Sequence, residues 1–177
     1  LDSRADLVRL VRQPGAPADV DAVETVVFSH LHLDHTADLA PLLFAAHSIL
    51  ARATAPLSLV GPPGLAGFLD RLAGLYGDWL TPRTRPLEIR EVAPGEGVDL
   101  GRARWEAFAA VHDEPRFTGA CLGWSIRDRD GGHLVFSGDT GPGGPLATVA
   151  TGCDLLLVEC STPDDLAVPT HLGPASV

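Results

Sequence analysis

Lysine and methionine are absent from this 177-residue chain, and tyrosine occurs once. Thirteen arginines therefore carry all the basic side-chain charge against 23 aspartates and glutamates, and the formal net charge is −10. A surface of that sign repels phosphate backbones unless arginine or metal is concentrated locally, so a basic nucleic-acid platform is not expected. Long apolar runs are missing too. Nothing approaches the roughly 18–20 uninterrupted apolar residues of a membrane-spanning helix, which speaks against a membrane protein. Cysteine is scarce: Cys121, Cys153 and Cys160 are odd in number and lack C-x-x-C spacing. They read as free thiols in a reducing compartment, which makes a cytoplasmic location the expectation. The opening stretch LDSRADLVRLVRQ has no apolar signal-peptide core, and without an initiator methionine the chain reads as cut at both ends. Heavy use of Ala, Gly, Pro and Arg, with no lysine, points to a GC-rich, bacterial coding sequence.

What is present suffices for one ordinary domain over residues 1–177, because apolar residues make up 45% of the chain and are spread along it. Leu7, Leu10 and Val11 give a short helical stripe that ends at a Pro/Gly connection. The β-branched run VETVVFS at 23–29 predicts a buried strand. Leu39, Leu42, Leu43, Ala46 and Leu50 then fall at helical spacing, with Asp38 placed to cap and Pro41 tolerable in the first turn. LSLVG predicts a second strand, and Leu65, Phe68, Leu69, Leu72 and Leu75 the buried stripe of another helix. Farther on, LEIREV, ARWEAFAAVH, CLGWSIRD, HLVFSG and DLLLVEC are strand-like, DRDGG is a hairpin turn, and a helix is expected around Pro145–Thr151. This order fits two sheets packed together with helices outside.

Chemistry concentrates in FSHLHLDHTAD at 28–38. A strand's period of two puts His30 and His32 on one side if the extended backbone persists through Leu31. Asp34 and His35 follow where the chain turns into a helix, so their side chains can be aimed from a second direction. Imidazole with carboxylate suits Zn²⁺, and also Mn²⁺ or Fe²⁺, and the lack of thiolate favours a catalytic over a closed structural site. Solvated loop histidines would be the bland reading of any one of these residues, but not of the whole H-x-H-x-D-H string.

That string resembles the hallmark of the metallo-β-lactamase superfamily of hydrolases, and the resemblance continues through His112 in AVHDEP and Asp139 in VFSGDTGP. It implies a four-layer αββα sandwich of two mixed sheets, incomplete here at both ends. It also implies two divalent metal ions: His30, His32 and His112 on one, Asp34 and His35 on the other, and Asp139 bridging. The branch resembling ribonuclease Z and related phosphodiesterases pairs a glutamate after a late strand with a loop histidine. Glu159 in VECST and His171 match that arrangement and become candidates for acid catalysis or phosphate contact, with the last metal ligand placed beyond Val177. VGPPGL at 60–65 resembles the Gly-Pro turn of the same branch. Asp113 and Glu114 depart from the family's surroundings of His112 and are read as orienting groups or exposed acids, and His47 and His133 as structural or solvated.

The implied activity is hydrolysis of a phosphodiester by a metal-bridging hydroxide, with Asp34, Glu159 and His171 in the catalytic set. The charge of −10 and the lack of a long basic Gly-rich arm between His35 and His112 favour a small substrate such as a cyclic nucleotide over tRNA. Two other readings fit the same residues. One is a thioester or lactone hydrolase of the glyoxalase-like type, with His171 as a metal ligand; the other is a catalytically silent metal-binding fragment. Family members often pair, which makes a homodimer compatible with the resemblance.

Overall fold

The computed structural model describes residues 20–112 and 119–177. The stripe at Leu7, Leu10 and Val11 and the acids Asp113 and Glu114 lie outside the described residues. The chain divides between Glu91 and Val92 into two compact units.

In the first unit, β1 (Thr25–Val27), β2 (Leu57–Gly61) and β3 (Leu87–Glu91) form a wholly parallel sheet in the order β1-β2-β3. Parallel neighbours need crossover connections, and helices supply them: α1 (Leu33–Thr36) and α2 (Leu39–His47) between β1 and β2, α3 (Leu65–Tyr76) between β2 and β3. The core is aliphatic, with Leu43, Leu57, Leu59 and Leu65 all at 0% exposure. Full burial of each such side chain is worth about 1.5–3 kcal/mol.

The strand expected over 23–29 is shorter because its neighbour ends. Phe28 N–H still donates to the Val60 carbonyl at 2.7 Å, but β2 then runs into Pro62 and Pro63, and the ladder stops. The backbone entering the histidine cluster is thereby released from the sheet. The turn after β2 is closely packed, since a Cβ at Gly61 would lie 3.0 Å from the Phe28 Cβ. Glu91, at the end of β3, accepts from the Gly64 and Ala66 N–H groups at 3.0 and 2.9 Å. It thus satisfies donors that the first turn of α3 leaves open.

Two stripe positions were misplaced. α2 ends at His47, where Ser48 turns extended and its Oγ accepts from Leu50 N–H at 3.1 Å, leaving Leu50 exposed. Leu75 is exposed as well, because the last turn of α3 outruns the core that buries Leu65 and Leu69.

The second unit holds a five-stranded sheet in the order β4-β5-β6-β7-β8, formed by β4 (Gly97–Leu100), β5 (Ala103–Ala109), β6 (Leu122–Asp128), β7 (His133–Phe136) and β8 (Leu155–Leu157). Pairing is antiparallel as far as β7 and parallel between β7 and β8, with the short helix α4 (Leu146–Val149) in the crossover. The DRDGG turn forms as expected, with Asp128 N–H donating to the Gly132 carbonyl and Gly131 at a φ of 95° that suits glycine. The unanticipated strand is β4, whose GVDL is too short to stand out. Trp124 is 1% exposed and meets Trp105 edge-on at 6.0 Å. Phe108 lies across Gly123, its register partner, where any Cβ would collide with the ring.

Candidate metal centre

The first unit contributes the histidine string. Beyond β1 the backbone stays extended, with His32 at φ −63° and ψ 156°, so His30 and His32 do fall on one side. His30 Nε2 and His32 Nδ1 face each other at 3.0 Å, and the rings meet nearly perpendicular. Two nitrogens on a tetrahedral Zn²⁺ at 2.0–2.1 Å each lie about 3.3 Å apart, close to this separation. The two imidazoles therefore fit one cation with little movement. His30 is fully buried, and its Nδ1 lies 3.1 Å from Ser29 Oγ.

Leu33–Thr36 forms a single helical turn that reverses the chain, closed by Thr36 Oγ1 donating to the His32 carbonyl at 2.9 Å. Its effect is to swing His35 back onto His30, with ring centroids 4.1 Å apart. Asp34, half exposed, lies 3.6 Å from His35 Nε2. All four predicted residues of the string are thus brought together within the first unit.

The second unit contributes the other four. His112 follows β5 and is 3% exposed. Its Nδ1 is 2.9 Å from the Thr170 carbonyl, and because a carbonyl only accepts, Nδ1 carries the proton and Nε2 presents a lone pair. That tautomer is the one a metal ligand needs. Asp139 lies at the bend after β7, and ligand atoms of His112, Asp139 and His171 all lie within 4.8 Å of one another.

Glu159, two residues past β8, holds this half together. Its carboxylate accepts from Thr140 N–H at 2.7 Å, from His171 Nδ1–H at 3.0 Å and from Ser161 N–H at 3.1 Å. The side chain is only 7% exposed, and its own backbone N–H donates to Ser137 Oγ at 3.0 Å. One buried carboxylate therefore fixes the loop that carries Asp139 and the ring of His171 together.

Sequence reasoning missed three supporting residues. Thr140 Oγ1 accepts from Val111 N–H at 2.9 Å, tying the Asp139 loop to the backbone just before His112. Ser137, fully buried, anchors Glu159. Gly141 lets the 169–171 segment cross, since any Cβ there would run into the Pro169 carbonyl oxygen. The signal was the run of small residues in SGDTG, which surrounds the one acid read as a ligand. His47 and His133 play the structural roles expected of them: His47 Nδ1 lies 2.7 Å from the Thr81 carbonyl, and buried His133 lies 2.9 Å from Ser125 Oγ.

Comparison with known proteins places this arrangement. The beta-lactamase superfamily domain matches residues 1–177. The chain belongs to that superfamily. As a beta-lactamase superfamily member it is 30% identical to a ribonuclease Z of Mycobacterium bovis (strain BCG / Pasteur 1173P2) over 166 residues, covering 86% of the chain and 57% of that protein. It is 33% identical to a ribonuclease BN of Citrobacter koseri over 108 residues, covering 61% of the chain and 32% of the relative. The chain thus spans 57% of the first relative's length and 32% of the second's. Among solved structures, the metallo-beta-lactamase fold protein YhfI from Bacillus subtilis aligns with a TM-score of 0.74 at 21% identity, over 97% of this chain and 63% of that one. Human tRNase Z, short form, aligns with the same TM-score at 19% identity, over 97% and 71%. The α/β class and the metallo-β-lactamase type of fold read from the sequence hold for this superfamily member. So does the resemblance to the ribonuclease Z branch.

Proposed function

We propose that this superfamily member is a metal-dependent hydrolase that cleaves phosphodiesters. The reading rests above all on the Glu159–His171 pair, held at 3.0 Å beside Asp139. His30, His32 and His112 would hold one divalent cation, Asp34 and His35 the other, and Asp139 would bridge them; zinc suits these donors best, with manganese and iron also compatible. When bound, such a pair of ions supplies a nucleophilic water near neutral pH and polarises the phosphoryl oxygens.

The chain's own residues do the rest. The tautomer fixed by Thr170 turns the Nε2 lone pair of His112 outward as a ligand. Glu159 accepts a hydrogen bond from Nδ1–H of His171, which leaves Nε2 of that ring to act: with Nε2 also protonated, the imidazolium would pass that proton to the leaving oxygen as the P–O bond breaks and be left as the neutral Nδ1–H ring. Burial of Glu159 keeps its geometry from relaxing into solvent. A role for RNA-type substrates draws support from the ribonuclease Z of M. bovis, and one for compact phosphodiesters from the chain's overall negative charge.

A second reading has one observation in its favour: His171 lies close enough to His112 and Asp139 to be a ligand itself, as a glyoxalase-like thioester hydrolase would require. Metal analysis of the purified chain, with assays on bis(p-nitrophenyl) phosphate and on a thioester, separates the two. Phosphodiester turnover in proportion to bound metal is expected. Two metals with thioesterase activity alone would overturn the proposal, and metal without turnover of either substrate would mark a silent binding fragment.

A further inference from the structure

A net charge of −10 conceals a local concentration of arginine among the described residues. Four of the thirteen arginines, Arg102, Arg104, Arg127 and Arg129, line a single open groove of about 220 Å³ where β5 begins and β6 ends. Arg104 and Arg127 stand directly opposite each other across the β5–β6 ladder. Like charges in that position destabilise a sheet. Asp99 offsets one of them, 3.2 Å from Arg104, and Asp130 binds Arg102 at 2.6 Å, while Asp128 also lines the groove. Among the described residues Arg127 and Arg129 form no ion pair, although acids outnumber arginines in the chain by 23 to 13. Arg129 N–H donates to the Arg102 carbonyl, so the backbone sets the four arginines in two tiers, Arg104 opposite Arg127 and Arg102 opposite Arg129. With Arg102 and Arg129 just outside the strands, the tiers are two residues apart along each segment, about 7 Å for extended backbone. That is about two 3.4 Å steps of a nucleic-acid strand.

We infer that this groove binds the phosphodiester backbone of a nucleic-acid strand and holds a long substrate at a distance from the metal centre. The inference rests on the phosphodiesterase reading for the identity of the polymer. Arginine suits the task because its planar fork matches phosphate oxygens. The lining arginines are exposed and the groove is open, so no small phosphate is enclosed; only repetition of phosphates along a polymer engages both tiers. Position adds to the argument. The groove lies at the start of β5 and His112 beyond its end, so the seven-residue strand, roughly 23 Å long, keeps them apart. A cyclic nucleotide cannot span that distance, whereas a folded RNA can.

The test measures binding and hydrolysis separately on the 177-residue chain. A fluorescently labelled RNA hairpin with a single-stranded 3′ extension is titrated in EDTA, by anisotropy, across a series of KCl concentrations. The double variant Arg127→Glu/Arg129→Glu is expected to weaken binding about tenfold or more near 0.1 M salt and to flatten the salt dependence by about two units of slope. Turnover of bis(p-nitrophenyl) phosphate by the same variant should be unchanged. Arg127→Lys/Arg129→Lys should recover most of the affinity, which a merely structural role would not predict. Unaltered affinity and slope in the glutamate variant would overturn the inference, as would equal competition by a polyglutamate peptide. RNA binding lost in the glutamate variant, without turnover of any phosphodiester, would instead sink the phosphodiesterase reading and leave the groove standing. Phosphodiester turnover without RNA binding by the unaltered chain would do the reverse.

Discussion

His171 donates its Nδ1–H to Glu159 Oε1 at 3.0 Å, and the same oxygen accepts the backbone N–H of Thr140, the residue after Asp139. A single carboxylate oxygen therefore sets both the ring read as an acid and the loop of Asp139, the proposed bridging ligand. Replacing Glu159 by Gln keeps the shape and an acceptor oxygen but removes the charge. Phosphodiester turnover should fall about 10–100-fold, the usual cost of losing a group that orients a metal-site residue. Metal content measured by mass spectrometry should stay within error of the unaltered chain. A matching fall in metal content would show that Glu159 acts through the ligands and not through His171.

His171→Ala distinguishes acid from ligand. With His171 as the acid, the variant keeps its metal and loses turnover on substrates with poor leaving groups by about 10²–10⁴-fold, the usual range for a lost general acid. An activated p-nitrophenyl ester, which needs little help in leaving, should suffer much less. Equal losses on both substrates, together with a loss of bound metal, would assign His171 to the coordination sphere and favour the thioesterase reading.

Gly141→Ala tests the crossing that delivers His171. The added methyl collides with the Pro169 carbonyl oxygen, a backbone atom that cannot swing aside as a side chain would. The 169–171 segment must move, and with it the Thr170 carbonyl that orients His112. Overpacking of this kind costs about 1–3 kcal/mol. The expected result is a lower melting temperature together with a loss of turnover larger than that of a control of similar cost, such as Val135→Ala in the buried β7.

The convergence of the histidine string was legible because its logic is local. A strand period, a helical turn and four ligand-type residues lie within six positions, and no distant contact is needed to see that His30 and His32 face one way. Glu159 and His171 were reached only through the family resemblance, since twelve residues and an irregular loop separate them. Thr140, Ser137 and Gly141 were invisible because their roles arise from close approach of segments far apart in the chain. Leu50 and Leu75 misled for the opposite reason: they continue a helical period past the point where a capping serine, or the limit of the core, ends its use. The arginine groove escaped notice because Arg104 and Arg127, 23 residues apart, are brought together by the β5–β6 register.

Metal loading should show in stability as well as in turnover. His30 is wholly buried with its Nε2 3.0 Å from His32 Nδ1, and a cation held by these imidazoles would bind the folded chain in preference to the unfolded one. Such preferential binding stabilises by about 2.7 kcal/mol when free metal is a hundredfold above its dissociation constant. For a chain of this size that corresponds to a rise in melting temperature of roughly 5–10 °C, at about 2–4 °C per kcal/mol. Stripping with EDTA should lower the melting temperature, and Zn²⁺ or Mn²⁺ should restore it. His32→Ala removes one nitrogen of the 3.0 Å pair and should abolish most of the rise, whereas His47→Ala, which removes a ring bound to the Thr81 carbonyl, should leave it intact. A metal-dependent rise that survives in His32→Ala would mean that the cation binds elsewhere, and the ligand assignment of His30 and His32 would fall with it.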